Sequence, residues 1–467
     1  LDSRIVVGEH TFQSGPDGML AAKGLSSCLS GLGISLRRFK TGTPARVLKS
    51  TVDLSVLEIQ EGEDYRTPYS RDTNEASINS IDQLPCHTAY TNENTHEIIK
   101  ANLHRSPLYS GVIKGVGPRY CPSIEDKVVR FSDKERHQLF LEPTGADTEE
   151  MYLQGFSSSL PEDVQLDMLH SLRGFENAVV MRNAYAIEYD CCDPTELYPT
   201  MQFKSIKGLY GAGQFNGTSG YEEAAAQGLI AGINSALSHM GKEEIILSRD
   251  SSYIGTLIDD LVTKGTNEPY RMMTSRSEYR LLLRQDNAEE RLIEYGRYAG
   301  LISDERYEAF KNEQELVKTE ISRLERLTLA PSENLNDFLT SIESTPISTG
   351  IKAADLLRRP QIDYEMLAQF DPNRPVLPHK IRYEVEVMIK YDGYIKRQLN
   401  EADRMKKLSE KKLPCDVDYS LIDGLRLEAR QKLNKIKPAD IGQASRISGV
   451  SPADISVLLI WLKANEQ

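Results

Sequence analysis

A glycine-rich run, residues 211–220, is followed directly by a stretch of small residues, 221–228. Glycine allows positive backbone φ angles and lets the backbone approach a ligand closely. The small-residue stretch is typical of a helix, whose first unpaired N–H groups would point back at the turn. The pattern therefore predicts half of a nucleotide site. The usual other half, a strand followed by Gly-x-Gly-x-x-Gly, does not occur in the 467-residue sequence.

Length and composition limit the classes of function that fit this chain. A sequence of 467 residues with 39% hydrophobic and 27% charged residues predicts a globular protein of about two to four domains. The net charge of −13 argues against a uniformly basic nucleic-acid coat. Six irregularly spaced cysteines without a Cys-x-x-Cys pair predict neither a disulfide framework nor a zinc site. We therefore expect a protein of the reducing cytoplasm.

The sequence contains neither a membrane-spanning run nor a signal-like start. The longest clear apolar run, residues 455–462, is shorter than the roughly 20 residues that span a bilayer, so no membrane segment is expected. The sequence begins at Leu1 without an initiator methionine or a signal-like region. This start predicts a fragment that begins within a strand.

The order of the local signals predicts an α/β region followed by a mainly α region. Strand, glycine-containing loop, helix and strand signals succeed one another in residues 1–46, with the helix at 22–32 and the second strand at 34–39. Further predicted elements are a helix at 95–103, strands at 128–131, 138–141, 178–181 and 208–210, a helix at 161–173, a helical stretch at 291–327, a loop-rich stretch at 332–349 and a long helix across 381–402.

The last part of the chain, residues 396–467, is mildly basic, with 14 Lys and Arg against 10 Asp and Glu. A helix near 438–447, a turn, and a second helix with Ser451 as N-cap and Pro452 as first residue predict a helix-turn-helix. Two packed helices that contact no nucleic acid fit the same pattern. The composition permits RNA contact without establishing it.

Residues 115–128 form the densest group of unusual residue types in the chain. Cys121 stands near Arg119 and Lys127, whose positive charges favour a thiolate. A nucleophilic or acid–base cysteine requires such an environment. An inert cysteine in a rigid turn fits the same residues.

Other residues with ligand-binding chemistry are more isolated. Thr41 and Gly42 stand in a hydroxyl-containing loop after a strand, which suits a ribose or a phosphate but also a plain turn. Histidines 87, 96 and 104 lack a matching carboxylate pattern, so no metal site is expected.

An arginine recurs every fourth residue at Arg276, Arg280 and Arg284. On a helix these side chains would share one face and could clamp phosphates, with neighbouring tyrosines stacking on bases. A solvated salt-bridge face, neutralised by Glu268 and Glu278, is the alternative.

At these motifs the sequence resembles the MnmG (GidA) family, flavoenzymes that modify the wobble uridine of certain transfer RNAs. The resemblance covers nearly the whole chain. Its motifs, in the family's order, are residues 39–44, 117–127, 213–228, 268–271 and 441–450.

The resemblance implies an enzyme that binds FAD and NADH, forms a homodimer, and assembles with the GTPase MnmE into a heterotetramer. It implies that a one-carbon unit from methylene-tetrahydrofolate is used to build a carboxymethylaminomethyl or aminomethyl group on uracil C5. The domains implied are 1–46 and 120–244 as a partial, Rossmann-like FAD-binding domain, 47–119 as an inserted small α/β NAD-binding domain, 245–395 as a helical domain, and 396–467 as a helical subdomain that docks tRNA and MnmE.

The resemblance also implies site residues. Cys121 matches one of the family's two implicated cysteines and is the expected catalytic residue. The second cysteine and the Gly-x-Gly-x-x-Gly motif would precede this chain, so we expect the chain alone to bind FAD weakly and to be inactive. The expected tRNA-binding residues are Arg271, Arg276 and Arg280. The expected cofactor-binding residues are Thr41, Gly42, Gly117, Pro118, Arg119, Tyr120, Cys121, Pro122, Ser123, Ile124, Glu125, Asp126, Lys127, Val128, Val129, Arg130, Phe131, Gly213, Gln214 and Asn216.

Two alternative functions stay open at this point. The related folate- and FAD-dependent tRNA uracil-5-methyltransferase shares the flavin half, but it lacks a long helical region such as 245–467. A non-catalytic protein that binds nucleic acid through a helix-turn-helix is the second alternative.

Overall fold

The computed structural model describes residues 1–70, 72–120, 122–414 and 416–465. The chain divides into two compact units, residues 1–236 with 260–272, and residues 237–259 with 273–467. The first unit combines β-sheets with helices and the second is mainly helical. The predicted order of an α/β region followed by a mainly α region is therefore confirmed.

The first unit contains all the longer strands of the described chain. Its strands are β1 Arg4–Val7, β2 His10–Phe12, β3 Leu36–Thr43, β4 Arg46–Leu48, β5 Glu58–Gln60, β6 Cys86–Tyr90, β7 Gln138–Pro143, β8 Glu150–Gln154, β9 Val180–Arg182 and β10 Tyr185–Cys192. Its helices are α1 Leu25–Gly31, α2 Glu75–Asn79, α3 Glu93–Ala101, α4 Ile124–Arg130, α5 Glu162–His170 and α6 Tyr221–His239, the last of which runs on past residue 236.

A four-stranded sheet with the order β2-β1-β10-β3 carries the first strands of the chain. β10 pairs antiparallel with both neighbours, so β1 and β3 run parallel to each other on either side of it. Most of β10 is buried, as expected of a strand covered on both faces. The strand–helix–strand order predicted for residues 1–46 is present as β1, α1 and β3.

A six-stranded antiparallel sheet with the order β5-β6-β7-β8-β4-β9 forms the other half of the first unit. Its core includes buried side chains from the strands and from the helices that cover them, among them Ile99, Leu139, Leu141, Leu153 and Phe175. β6 and β7 are neighbours in this sheet. The sheet therefore continues across the boundary predicted at residue 119 and ends at β9.

The second unit is built from helices with one short β-pair. Its helices are α7 Tyr253–Asp259, α8 Ala288–Tyr298, α9 Asp304–Arg326, α10 Glu333–Ser341, α11 Ala353–Leu357, α12 His379–Ser409, α13 Leu427–Ile436, α14 Ile441–Arg446 and α15 Pro452–Asn465, and its strands are β11 Thr328–Leu329 and β12 Ile351–Lys352. The long helix predicted across 381–402 is confirmed as α12. Among the described residues, no helix combines the length and apolar composition needed to cross a bilayer.

Several predictions of individual helices and strands were wrong, and the structure shows the physical reason. The stretch 128–131, predicted as a strand, is the end of α4, because Ile124 and Val128 lie one helical turn apart and are both buried. The stretch 291–327 is two helices, α8 and α9, separated around Gly300, whose φ is +77°.

The remaining corrections concern caps and weak strands. α3 begins at Glu93, two residues before the predicted start at residue 95, because the Asn92 side chain accepts a hydrogen bond from Thr95 N and caps the helix there. The stretch 332–349 contains α10, capped by Ser332. The stretch 208–210 makes only a single bridge, between Gln202 and Tyr210.

In the C-terminal bundle of α13 to α15, one buried carboxylate links the start of α13 to the start of α15. Asp454 is 1% exposed and accepts hydrogen bonds from Arg426 Nη2 at 2.7 Å and from Ser451 N at 2.8 Å. Ser451 Oγ accepts in turn from Asp454 N at 3.3 Å, so the predicted N-cap at Ser451 is confirmed. The hydrogen bonds from Arg426 and then Ser451 hold the pKa of Asp454 well below its usual range.

We expect Asp454→Asn to lower the free energy of unfolding of this bundle by about 2 kcal/mol at neutral pH, because charge-assisted hydrogen bonds to a buried group are lost. Since folding lowers the pKa of Asp454, its contribution is complete above about pH 4, the usual Asp value, and is lost on further acidification. Wild type and variant should therefore converge at low pH. Fluorescence of Trp461, the single tryptophan, reports unfolding of α15 in urea.

The matched control is Asp423→Asn, an exposed aspartate of the same bundle. Equal stability of Asp454→Asn and Asp423→Asn at pH 7 would contradict the expectation.

Candidate functional site

The glycine-rich run folds as predicted, as a turn that leads into a helix. Residues Gly213–Asn216 form one 3-10 turn, and α6 starts at Tyr221. Gly213 has φ +78° and Gly217 has φ +82°, conformations that side chains of L-residues rarely adopt. The first turn of α6 thus follows directly after backbone that only glycine accommodates at low cost.

A buried amide network holds this turn in place. Asn216 Nδ2 donates to Gln227 Oε1 at 2.9 Å, and Gln227 Nε2 donates to Thr218 Oγ1 at 3.0 Å. The thiol of Cys192 donates to Asn216 Oδ1 at 3.2 Å. All three polar side chains of the network are fully buried, so their hydrogen bonds avoid a large desolvation cost. Asn216 is engaged within the protein, whereas its neighbour Gln214 is exposed.

The segment around Tyr270 is hydrogen-bonded to the same turn. Tyr270 N donates to Gly217 O at 2.8 Å, and Arg271 Nη1 donates to Ser219 O at 3.1 Å. The buried Glu223 accepts from Met272 N at 2.6 Å through Oε1. Its Oε2 atom is buried without a partner among the described residues.

Phe39 in β3 brings three of the predicted motifs together. A Cβ added to Gly217 would lie 3.0 Å from Phe39 Cε2, and one added to Gly115 would lie 2.8 Å from Phe39 C. Lys40 N donates to Val116 O at 2.9 Å, so the 115–117 segment runs beside β3. The glycine-rich turn, the strand with residues 39–44 and the 115–117 segment therefore meet at one place, the candidate site.

Glu188 fixes the start of the 115–127 segment. It is fully buried in β10, and its Oε1 atom accepts from Gly115 N at 2.6 Å and Lys114 N at 2.7 Å. Its Oε2 atom accepts from the Arg4 guanidinium. Burial by itself would raise the pKa of Glu188, but the hydrogen bonds from Gly115, Arg4 and Lys114 outweigh it and lower the pKa.

The rest of the predicted cofactor segment divides into exposed and anchored residues. Arg119 and Tyr120 are exposed. Lys127 Nζ donates to Gly155 O at 3.0 Å, and Arg130 pairs with Asp126 at 3.0 Å. Cys121, the predicted catalytic residue, lies outside the described residues.

The residues Thr41 and Gly42 lie within β3 rather than in a loop after it, opposite Ile187 and Ala186 of β10. Sequence reasoning missed Lys40 and Glu188, which are buried in β3 and β10. A charged residue at a fully covered strand position gives no periodic signal, so only the three-dimensional packing reveals them.

Two thiols at the end of β10 are inert. Cys191 and Cys192 are fully buried. Burial raises the pKa of Cys191 to about 12 and also raises the pKa of Cys192, so neither forms a thiolate near neutral pH. Within the described residues, no group of three or more His, Cys, Asp or Glu is arranged to hold a metal ion.

The predicted arginine stripe is not on a helix, so the prediction of one shared helical face was wrong. Residues Thr274–Arg276 form a 3-10 turn, and irregular turns continue to α8. Ser277 Oγ accepts from Tyr279 N at 3.1 Å, a local bond that competes with helix formation. Arg284 pairs with Asp286, while Arg280 is exposed.

Three family models match the chain. The model described as "Glucose inhibited division protein A" matches residues 1–243. The models described as "tRNA modifying enzyme MnmG/GidA C-terminal helical domain" and "tRNA modifying enzyme MnmG/GidA C-terminal helical bundle" match residues 304–399 and 401–467. The chain belongs to the MnmG/GidA family of tRNA uridine modification enzymes.

Individual MnmG/GidA proteins are similar along almost the whole chain. The "tRNA uridine 5-carboxymethylaminomethyl modification enzyme MnmG" of Caldicellulosiruptor saccharolyticus is 60% identical over 99% of this chain and 74% of its own length. The enzyme of the same name from Clostridium botulinum (strain Okra) is 54% identical over 100% and 74%. The solved Aquifex aeolicus GidA, form I crystal, is 46% identical with a TM-score of 0.86, over 99% of this chain and 74% of that one.

Membership in the MnmG/GidA family confirms the resemblance drawn from the motifs. The family also has the helical regions that match residues 304–467 here, which favours it over the methyltransferase alternative and over an isolated helix-turn-helix protein. The segments that meet at Phe39 therefore belong to an enzyme of a flavin-dependent family.

We expect Gly217→Ala to lower the free energy of unfolding by about 1–3 kcal/mol, because a side chain would be strained at φ +82° and would press on Phe39. Urea denaturation followed by circular dichroism measures the change. The matched control is Gly228→Ala, an exposed position inside α6 with open space around it. The control should be neutral or stabilising by about 0.5–1 kcal/mol. Similar losses in both variants would show that the turn does not need glycine.

Proposed function

We propose that this protein adds a carboxymethylaminomethyl or aminomethyl group to C5 of the wobble uridine of transfer RNA, together with the GTPase MnmE. The observation that carries the proposal is the meeting of β3, the 115–117 segment and the glycine-rich turn at Phe39 in the first unit. The segment at Tyr270 is hydrogen-bonded to the same turn. The names of the relatives, tRNA uridine 5-carboxymethylaminomethyl modification enzymes, support the choice of substrate and product.

FAD fits the glycine-rich turn. The turn offers backbone without side chains at Gly213, the exposed Gln214, and the N-terminus of α6, whose dipole favours negative charge. Glu223 Oε2 is a buried acceptor that still lacks a donor. Gly213, Gln214, Thr41 and Gly42 are the residues proposed to hold the cofactor, and Asn216 is proposed to act indirectly, by holding the turn behind them. When bound, the flavin supplies reversible hydride and electron transfer.

NADH and the reacting base are assigned to the 117–131 segment. Ser123 Oγ and Glu125 Oε2 are buried there without hydrogen-bond partners among the described residues, so they offer polar groups to a ligand. The six-stranded sheet that packs under this segment is the proposed NAD-binding part. Cys121 is the proposed nucleophile or acid–base group toward uracil, and methylene-tetrahydrofolate is the proposed one-carbon donor.

Transfer RNA and MnmE are assigned to more exposed surfaces. Arg271, Arg276 and Arg280 are proposed to contact tRNA phosphates. The C-terminal part, residues 396–467, is proposed to dock tRNA and MnmE. α12 contributes the exposed side chains of Arg397, Arg404 and Lys407 to it, and the exposed Lys411 follows α12. The functional form is proposed to be a cytoplasmic homodimer within a heterotetramer with MnmE.

The proposed function is tested by expressing the intact protein in bacterial cells that lack their own family member. Mass spectrometry of nucleosides from purified tRNA should show the modified wobble uridine restored, and removal of MnmE from the same cells should abolish it. Unmodified tRNA in the presence of both proteins would overturn the proposal.

We expect Cys121→Ser in the intact protein to abolish wobble modification while leaving bound flavin, measured by absorbance, unchanged, because a hydroxyl cannot replace a thiolate at neutral pH. The matched control is Cys28→Ser, a free and exposed thiol on α1, which should keep full activity. Normal modification by Cys121→Ser would return that cysteine to a structural role.

A further inference from the structure

Lys40 is a buried lysine that pairs with no described residue. It is 5% exposed, yet its ammonium makes no hydrogen bond or ion pair within the described part of the chain. Its stem runs beside the 115–117 segment, since a Cβ added to Gly117 would lie 3.4 Å from Lys40 Cδ. The side chain is thus nearly covered by protein while no described group pairs with its ammonium, so its surroundings indicate what it could bind.

Two further polar groups close to this segment also lack partners. Glu125 is fully buried, and its Oε1 atom accepts from both Ser159 N and Ser159 Oγ at 3.1 Å. Its Oε2 atom and the nearby Ser123 Oγ are buried with no partner in the described residues. A donor, Lys40, and an acceptor, Glu125, are thus left open in the same part of the molecule.

The carboxylates of Glu125 and Asp126 are the charged groups that act on the pKa of Lys40. Burial lowers the pKa of Lys40, while the carboxylates of Glu125 and Asp126 raise it in opposition. Asp126 is already engaged with Arg130 at 3.0 Å. Lys40 and Glu125 form no ion pair with each other. A ligand could therefore bond to both if it accepted a hydrogen bond from Lys40 Nζ and donated one to Glu125 Oε2.

We propose that Lys40 and Glu125 bind the imide edge of a pyrimidine ring, with a ring carbonyl accepting from Lys40 Nζ and the ring N3–H donating to Glu125 Oε2. Uracil and the flavin ring both carry this edge, and polar side chains commonly read it by hydrogen bonding. This inference rests on the proposed function, which supplies both rings as candidates. Lys40 then holds the ring, and Ser123 offers one further polar contact.

Methylation of N3 tests the proposal because it removes the imide donor. We would measure binding of FAD against 3-methyl-FAD, and of an anticodon stem-loop RNA with wobble uridine against one with 3-methyluridine, to the intact protein. One of the two methylated ligands should bind about 10- to 100-fold more weakly, as expected for a lost charge-assisted hydrogen bond. Discrimination between the flavins identifies the cofactor as the ligand, and discrimination between the RNAs identifies the substrate uridine.

Two variants connect that discrimination to these residues. Glu125→Gln, which preserves shape, and Lys40→Met should each reduce the discrimination at least about tenfold. The matched control is Lys114→Met, because the Lys114 side chain is exposed in the neighbouring segment; it should discriminate as wild type does. If Lys40→Met does not fold, Glu125→Gln carries the test alone.

The proposal is overturned if wild type binds both methylated ligands as tightly as the unmethylated ones, or if Glu125→Gln discriminates as strongly as Lys114→Met. Binding is measured without turnover, so a protein that fails to modify tRNA still yields a result for Lys40 and Glu125. Failure of the proposed function and failure of this inference are therefore distinguishable.

Discussion

The antiparallel pairing of β3 with β10 is the interaction on which the candidate site depends. It runs from Tyr185 opposite Thr43 to Cys192 opposite Leu36 without a break. A shift of one residue would move Phe39 to the opposite face of the sheet. The glycine-rich turn and the 115–117 segment both contact Phe39. The pairing register of β3 with β10 therefore determines how close these two segments lie to each other. The site is thus assembled on one strand pair, although its motifs are far apart in sequence.

Glu188 adds a second constraint at the centre of the same sheet. A fully buried carboxylate would be costly without donors, and here the N–H groups of Lys114 and Gly115 together with Arg4 supply them. The backbone that leads into the proposed nicotinamide segment is therefore tied to β10. Gly115 lies so close to the Phe39 backbone that a side chain has no room there. The absence of a side chain at Gly115 and the hydrogen bond from its N–H to Glu188 together hold this segment beside β3.

The sequence predicted the parts of this arrangement that have a local signature. The turn before α6, the N-cap at Ser451 and the long helix α12 each follow from residue types within a few positions, and each is confirmed. The prediction that the arginines share a helical face was wrong: the segment forms irregular turns, in which the Ser277 hydroxyl accepts a hydrogen bond from Tyr279 N. The convergence at Phe39 and the burial of Lys40 depend on strand pairing between distant segments, which no local pattern encodes. The family resemblance supplied candidate site residues but not their geometry.

Hydrogen-bond satisfaction separates supporting groups from ligand-facing groups around Phe39. Asn216, Gln227 and Glu188 are buried and bonded on the protein side, which suits residues that hold the backbone in place. Ser123 Oγ and Glu125 Oε2 are buried without a partner among the described residues, and the Lys40 side chain is 5% exposed. Because buried polar groups are rarely left unpaired, these open groups support the proposal that a ligand binds beside them. In the proposed site, the glycine-rich turn, which is held by side chains from β10 and α6, forms one wall, and β3 with the 115–117 segment forms the other.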